Sequence, residues 1–280
     1  MRLGNVDCHL LSDGEFRLDG GGVFGHVPRV LWEKVLAPDE LNRVPMALNC
    51  LLVLSEGKRI LVDAGYGRKL GSEQRDTISL QRPNGDLLEG LERLGYRPSD
   101  IDIVINTHLH PDHCGGNTVL ADGAATPAFP RAKYWVQVQE WEAAFRPNER
   151  TRPTYPEENW RCLEKSGQLH LENGDAAVTS EVSCLHTPGH TRGHQSVLIQ
   201  SCGLSACFAG DVAARAVHLE RLSWTTAFDT EPLLTLESKR RLQNRCLQSG
   251  TLVYFAHDVS VPSGRLSLDQ QTQRLRVVPE

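Results

Sequence analysis

The stretch Asn106–Gly116 reads NTHLHPDHCGG and packs His108, His110, Asp112 and His113 into six positions. Imidazole nitrogen and carboxylate oxygen suit zinc and its first-row neighbours. In an extended loop, side chains two apart point the same way, so His108 and His110 can address one cation. Asp112 and His113 come one step later and can address a second. With 11 histidines in 280 residues, such a pattern arises by accident in on the order of one chain per thousand. A chance cluster of surface histidines is therefore a poor competitor.

A hydrolytic site needs further ligands, and the chain offers three, each beyond an apolar run. TPGHTRGH carries His190 after Val182–His186, CFAGDV places Asp211 after Cys207–Ala209, and LVYFAHD places His257 after Leu252–Ala256. Strand ends along one edge are where sites are usually grafted. Singly, each has an ordinary reading as a loop residue; joined to the first cluster they form a set. Asp63, in LVDAG, reads equally as a residue that orients a ligand imidazole or as a turn cap. His194 reads as a hydrogen-bonded structural histidine. His9, His170 and His186 are not read as ligands.

The elements that must position these residues follow from pattern. Cys50–Gly65 reads as a hairpin, two apolar runs around Ser55-Glu56-Gly57-Lys58. GDLLEGLERLGYRPSD spaces Leu87, Leu88, Leu91 and Leu94 for a short amphipathic helix stopped at Gly95. IDIVI forms a buried strand that delivers the chain to Asn106. AKYWVQ reads as a strand and VQEWEAAF as a helix. Arg146–Trp160, rich in proline and charge, reads as a surface loop or lid. EVSCLHT, QSVLIQS and LSACFAGDV are strand-like, and PLLTLESKRRLQNRCLQSG is a helix from Pro232 to Gly250. TLVYFAHD reads as the last strand. Hairpins and helices mix throughout, which favours one α/β sandwich over 1–280 rather than two sequential domains. GGGVFGHVP, Gly20–Pro28, reads either as a flap with Val23 and Phe24 on its apolar face or as a tight connection between strands. Trp135, Trp141, Trp160 and Trp224 read as core, with Trp160 also a candidate cover for the site.

Composition narrows the partners. The net charge is −5, which gives no basic footprint for nucleic acid and mildly disfavours anionic membranes. The N-terminus turns polar within a few residues, unlike a secretory signal, and no run reaches the roughly 18 apolar residues of a membrane span. A cytoplasmic protein is expected. The eight cysteines form no Cys-x-x-Cys pair and read as reduced, buried thiols, Cys114 beside the site included.

His108-x-His110-x-Asp112-His113, followed in order by His190, Asp211 and His257, resembles the metallo-β-lactamase superfamily. LVDAG, TPGHT, the Gly210-Asp211 pair and Ala256–Asp258 fall where that resemblance requires, and it spans nearly the whole chain. HLHPDHCGG, AHD, FDTEP (Phe228–Pro232) and GGVFGHVPRVLWEKV look most like the branch of N-acyl-homoserine lactonases and methyl-parathion-type hydrolases.

The resemblance implies a four-layer αββα sandwich with a dinuclear site. His108, His110 and His190 would hold one metal, Asp112, His113 and His257 the other, and Asp211 would bridge them. The ions would be zinc, with manganese, iron and cobalt as alternatives. A metal-bridging hydroxide would open a small-molecule lactone or cleave an ester, Asp112 shuttling the proton and Asp211 completing the catalytic pair. A phosphotriesterase on the same scaffold is the alternative. The resemblance also implies that His26 and His218 line the pocket and that the chain forms a homodimer. One departure stands out: that branch carries a tyrosine three residues after the bridging aspartate, where this chain has Ala214. A diiron flavoprotein would need glutamate in the first cluster, where Pro111 stands between His110 and Asp112. A purely structural zinc site would be a closed, cysteine-rich cage.

Overall fold

Strand residues here alternate between two apolar surroundings, and that alternation builds the layers. The structure, a computed structural model, describes residues 1–280. Its strands are β1 (Arg2–Leu3), β2 (Val6–Asp19), β3 (Arg43–Ser55), β4 (Lys58–Val62), β5 (Ile103–Ile105), β6 (Thr118–Ala121), β7 (Ala124–Pro127), β8 (Lys133–Gln137) and β9 (Leu169–Glu172). They continue with β10 (Ala176–Ala177), β11 (Val182–His186), β12 (Gln195–Ser201), β13 (Leu204–Phe208), β14 (Leu252–Tyr254), β15 (Ser263–Asp269) and β16 (Arg274–Pro279). One seven-stranded sheet runs β1-β2-β3-β4-β5-β8-β9 and a second runs β10 to β16 in sequence order; β6 and β7 form a small hairpin.

Between the sheets, Leu51, Val53, Ile60, Val62 and Ile105 meet Val182, Val197, Ile199, Ala206, Phe208 and Leu252. The residues between them in sequence face outward. Leu52, Leu61 and Val104 pack on Leu87, Leu91, Trp141 and Ala144 from the helices Leu87–Arg93 and Val138–Phe145. On the other side Leu198, Cys207 and Val253 pack on Leu242 and Cys246 from the helix Pro232–Ser249. With a period of two and both faces covered, these strands must be apolar throughout, which is why their sequences read as unbroken runs. The result is an αββα sandwich. Cutting one inner residue such as Ile199 to alanine would cost about 2–5 kcal/mol, a large share of a typical stability of about 5–15 kcal/mol. No helix is long and apolar enough to cross a membrane.

The β3–β4 hairpin turns at Glu56 and Gly57, both at positive φ. The helix Pro232–Ser249 starts on proline and ends at Gly250 in the left-handed region. Several expectations are corrected. TLVYFAHD is not the last strand, because β15 and β16 extend its sheet to Pro279. Gly20–Phe24 lies in the connection from β2 to β3, which is not tight: it runs from Gly20 to Asn42, and Val23 faces the cavity beside the cluster. The segment is a one-turn helix capped by Asp19, with Phe24 stacked on Trp32 at 5.1 Å. Trp160 does not cover the site; it is sealed in the core against Trp141. All eight cysteines are free, but Cys202 is exposed and Cys162 half-buried, unlike the six buried ones.

Candidate metal centre

Strand direction brings the candidate ligands to one edge. β4, β5 and β8 are parallel, so Asp63 and Asn106–His108 leave their sheet at the same end. In the other sheet β13 and β14 are parallel and release Asp211 and His257 together. His190 lies on the loop between β11 and β12. The two edges are tied by Gln195 N–H to Thr107 O (2.8 Å) and Ala47 N–H to His257 O (3.2 Å). Such carboxyl ends are the usual place for a ligand in α/β sheets.

After His110, Pro111 begins a single turn, Pro111–Cys114, and the next residues must pass close to the loop after β4. A Cβ on Gly116 would lie 2.1 Å from Ala64 O, and one on Gly115 would lie 2.4 Å from Tyr66 O. Only glycine allows that approach, which accounts for the GG after Cys114. Gly210 is at φ +59, and a Cβ there would press on the His194 ring. This glycine turns Asp211 inward from the end of β13.

The seven candidates converge. Ligand atoms of His108, His110 and His190 lie within 4.8 Å of one another, as do those of His108, His113 and Asp211, and those of Asp112, His113 and His257. Asp211 sits between the groups: Oδ2 is 3.4 Å from His190 Nε2, while Oδ1 is 3.2 Å from His257 Nε2 and 3.5 Å from His113 Nε2. His190 Nε2 approaches His110 Nδ1 at 3.1 Å, and His113 Nε2 approaches His257 Nε2 at 3.0 Å. Ligand nitrogens about 2.0–2.1 Å from one tetrahedral zinc would be about 3.3 Å apart.

The outer nitrogens fix the tautomers. His113 Nδ1 is 2.8 Å from Asp63 Oδ2, His190 Nδ1 is 2.9 Å from Asp229 Oδ1, and His257 Nδ1 is 2.7 Å from Ala47 O. His108 Nδ1 is 3.1 Å from the Thr107 hydroxyl, which itself donates to Asp63. Each Nδ1 therefore carries the proton, and the Nε2 lone pairs face inward. His108 Nε2 and Asp211 Oδ1 are buried without any hydrogen-bond partner.

The electrostatics agree. Burial, with the neighbouring imidazoles, holds His108 and His110 well below the usual histidine range. Burial opposes charge on His113 and His190 too, yet nearby carboxylates, Asp211 foremost, raise both. Burial would raise Asp211, but His257, His113 and His190 hold it well below the carboxylate range. The carboxylates thus favour positive charge at the inner side of these imidazoles, which a divalent cation would supply. Unpaired buried charges cost several kcal/mol each, so a cluster this dense fits divalent ions far better than it fits a structural role.

Other residues fall as follows. Asp63 both orients His113 and takes Thr107 N–H at 2.7 Å, so it does the work of both readings. His194 accepts from Asp211 N–H (2.9 Å) and is structural. His26 is exposed and lines no part of the cavity. His218 is sealed against Phe24 and also lies off the cavity wall. His9, His170 and His186 lie outside the cluster.

Two residues were not found from sequence. Asp229 holds His190, and its only signal was the FDTEP stretch. Glu140 is fully buried and accepts from Leu109 N–H, Tyr155 O–H and Thr191 O–H. It thus ties both histidine loops to the Arg146–Trp160 segment. Beside the cluster lies a cavity of about 180 Å³ whose wall includes Leu18, Val23, Met46, Ala214 and Phe228.

Residues 43–245 match the family model described as the metallo-beta-lactamase superfamily. An N-acyl homoserine lactonase from a Bacillus species is 31% identical over 245 residues, covering 82% of this chain and 87% of its own. A solved structure of a probable metal-dependent hydrolase from Staphylococcus aureus superposes with a TM-score of 0.89 at 28% identity, covering 100% of this chain and 99% of its own. An N-acyl homoserine lactone hydrolase, solved with N-hexanoyl-L-homoserine bound at its catalytic metal center, gives a TM-score of 0.71 at 25% identity, covering 92% and 95%.

Proposed function

This chain belongs to the metallo-beta-lactamase superfamily and is a metal-dependent hydrolase, and from that premise we propose that it hydrolyses neutral lactones, N-acyl homoserine lactones being the favoured class. The observation that carries this reading is the inward-facing cradle of five imidazoles with Asp211 between its two halves. His108, His110 and His190 would hold one divalent ion, Asp112, His113 and His257 a second, and Asp211 both. Because both sheets supply ligands, 1–280 acts as one domain. Such ions supply Lewis acidity and acidify water at neutral pH.

The protein's own groups do the rest. Asp63, Asp229, Ala47 O and Thr107 hold the Nδ1 sides of His113, His190, His257 and His108, so that Nε2 of each is turned toward the cluster. Asp112 lines the cavity, with Oδ2 3.4 Å from His257 Nε2. It would carry a proton to the leaving alkoxide. Leu18, Val23, Met46 and Phe228 offer an apolar wall for an acyl chain and exclude water from it. No lysine or arginine lines this cavity, so beyond the ions themselves no side chain would pair with a charged group elsewhere on the substrate. That favours an uncharged substrate.

The test compares zinc-, manganese- and cobalt-loaded protein on an N-acyl homoserine lactone, an aryl ester and a paraoxon-type phosphotriester. Lactone turnover should be the fastest by kcat/KM. Preference for the phosphotriester would replace this reading with the alternative.

A further inference from the structure

Whatever substrate enters the cavity brings oxygen atoms, and the wall must supply donors for those the ions do not take. Leu18, Val23, Met46, Pro111, Ala214 and Phe228 have no side-chain donor. Thr226 O–H is committed to Asp229 Oδ1 at 2.7 Å, and Thr154 O–H to Thr151 O at 2.8 Å. Outside the seven candidate ligands one side chain remains, Tyr66. Its hydroxyl has no hydrogen-bond partner in the protein and is not sealed from solvent.

We propose that Tyr66 is a catalytic residue whose hydroxyl donates to an oxygen of the reacting ester group. The inference rests on the hydrolase reading above. The ring is well held. It meets Phe16 edge-on at 5.2 Å, and Gly65 and Gly67 on either side are both at φ +65. Gly67 N–H is bonded to Asp13 at 2.9 Å, so the short loop after β4 is pinned. A preset donor costs no reorganisation when charge develops on the substrate oxygen. Burial and the Asp112 charge push the phenol well above its usual range, so it keeps its proton at working pH. Tyr66, with Pro111, also borders a neighbouring cavity of about 330 Å³.

Tyr66→Phe keeps that wall and removes only the hydroxyl. In zinc-loaded protein, kcat on an N-acyl homoserine lactone should fall about 100–1000-fold, with metal content and thermal midpoint close to the parent's. Unchanged kcat overturns the proposal. Binding of a non-hydrolysable N-acyl lactam, followed by calorimetry, separates the two levels. If the parent turns over no lactone or ester, the hydrolase reading fails. The Tyr66 contact is then judged by affinity alone: several-fold weaker lactam binding in Tyr66→Phe supports it, and equal binding sinks it.

Discussion

His113 Nδ1 stands 2.8 Å from Asp63 Oδ2, and the same carboxylate takes the N–H and O–H of Thr107. One buried side chain therefore fixes a candidate ligand and the strand exit that delivers His108. Asp63→Ala should weaken metal binding about 10–100-fold. Competition against a chromophoric chelator measures this. Parent-like affinity in the variant would reduce Asp63 to a turn cap.

Asp229 does the same for His190, at 2.9 Å, on the opposite side of Asp211. Asp229→Ala should loosen chiefly the ion addressed by His108, His110 and His190, leaving the Asp112–His113–His257 group occupied. Cobalt spectra during titration would show one early and one delayed step. Equal weakening of both would mean that Asp229 acts through the general stability of the fold.

His218 sets part of the acid limb of stability. Burial, with the Lys239 and Arg215 charges, pushes it down to about 3. The unfolded chain takes up this proton as pH falls through about 6.5, and the folded chain does not until near 3, so stability is lost as pH drops across that window. The slope from this one group is about 1.4 kcal/mol per pH unit. His218→Leu should therefore lose less stability than the parent between pH 6 and pH 4, read by urea unfolding. Identical slopes would show that His218 is not held neutral.

How much was legible in the sequence depended on how local the cause was. The cluster His108–His113 was visible because costly polar groups stood together at fixed spacing. The helix Pro232–Ser249 was visible because proline and glycine punctuate it. By contrast, β2 went unread: its register slips between Ser12 and Glu15, which breaks the two-residue alternation. β15 and β16 were missed because they close an outer edge, where strand residues need not be apolar. His218 was misplaced because burial of a short helix is set by partners distant in sequence such as Phe24. Glu140 and Tyr66 carry no local signal; their roles come from what the fold brings against them.

The central claim is that seven scattered side chains form two adjacent cation sites sharing Asp211, and counting ions tests it most directly. Chelated protein titrated with zinc and measured by elemental analysis after buffer exchange should retain two equivalents per chain. His190→Ala and His257→Ala should each retain one. A parent protein that saturates at one equivalent or fewer would contradict the account.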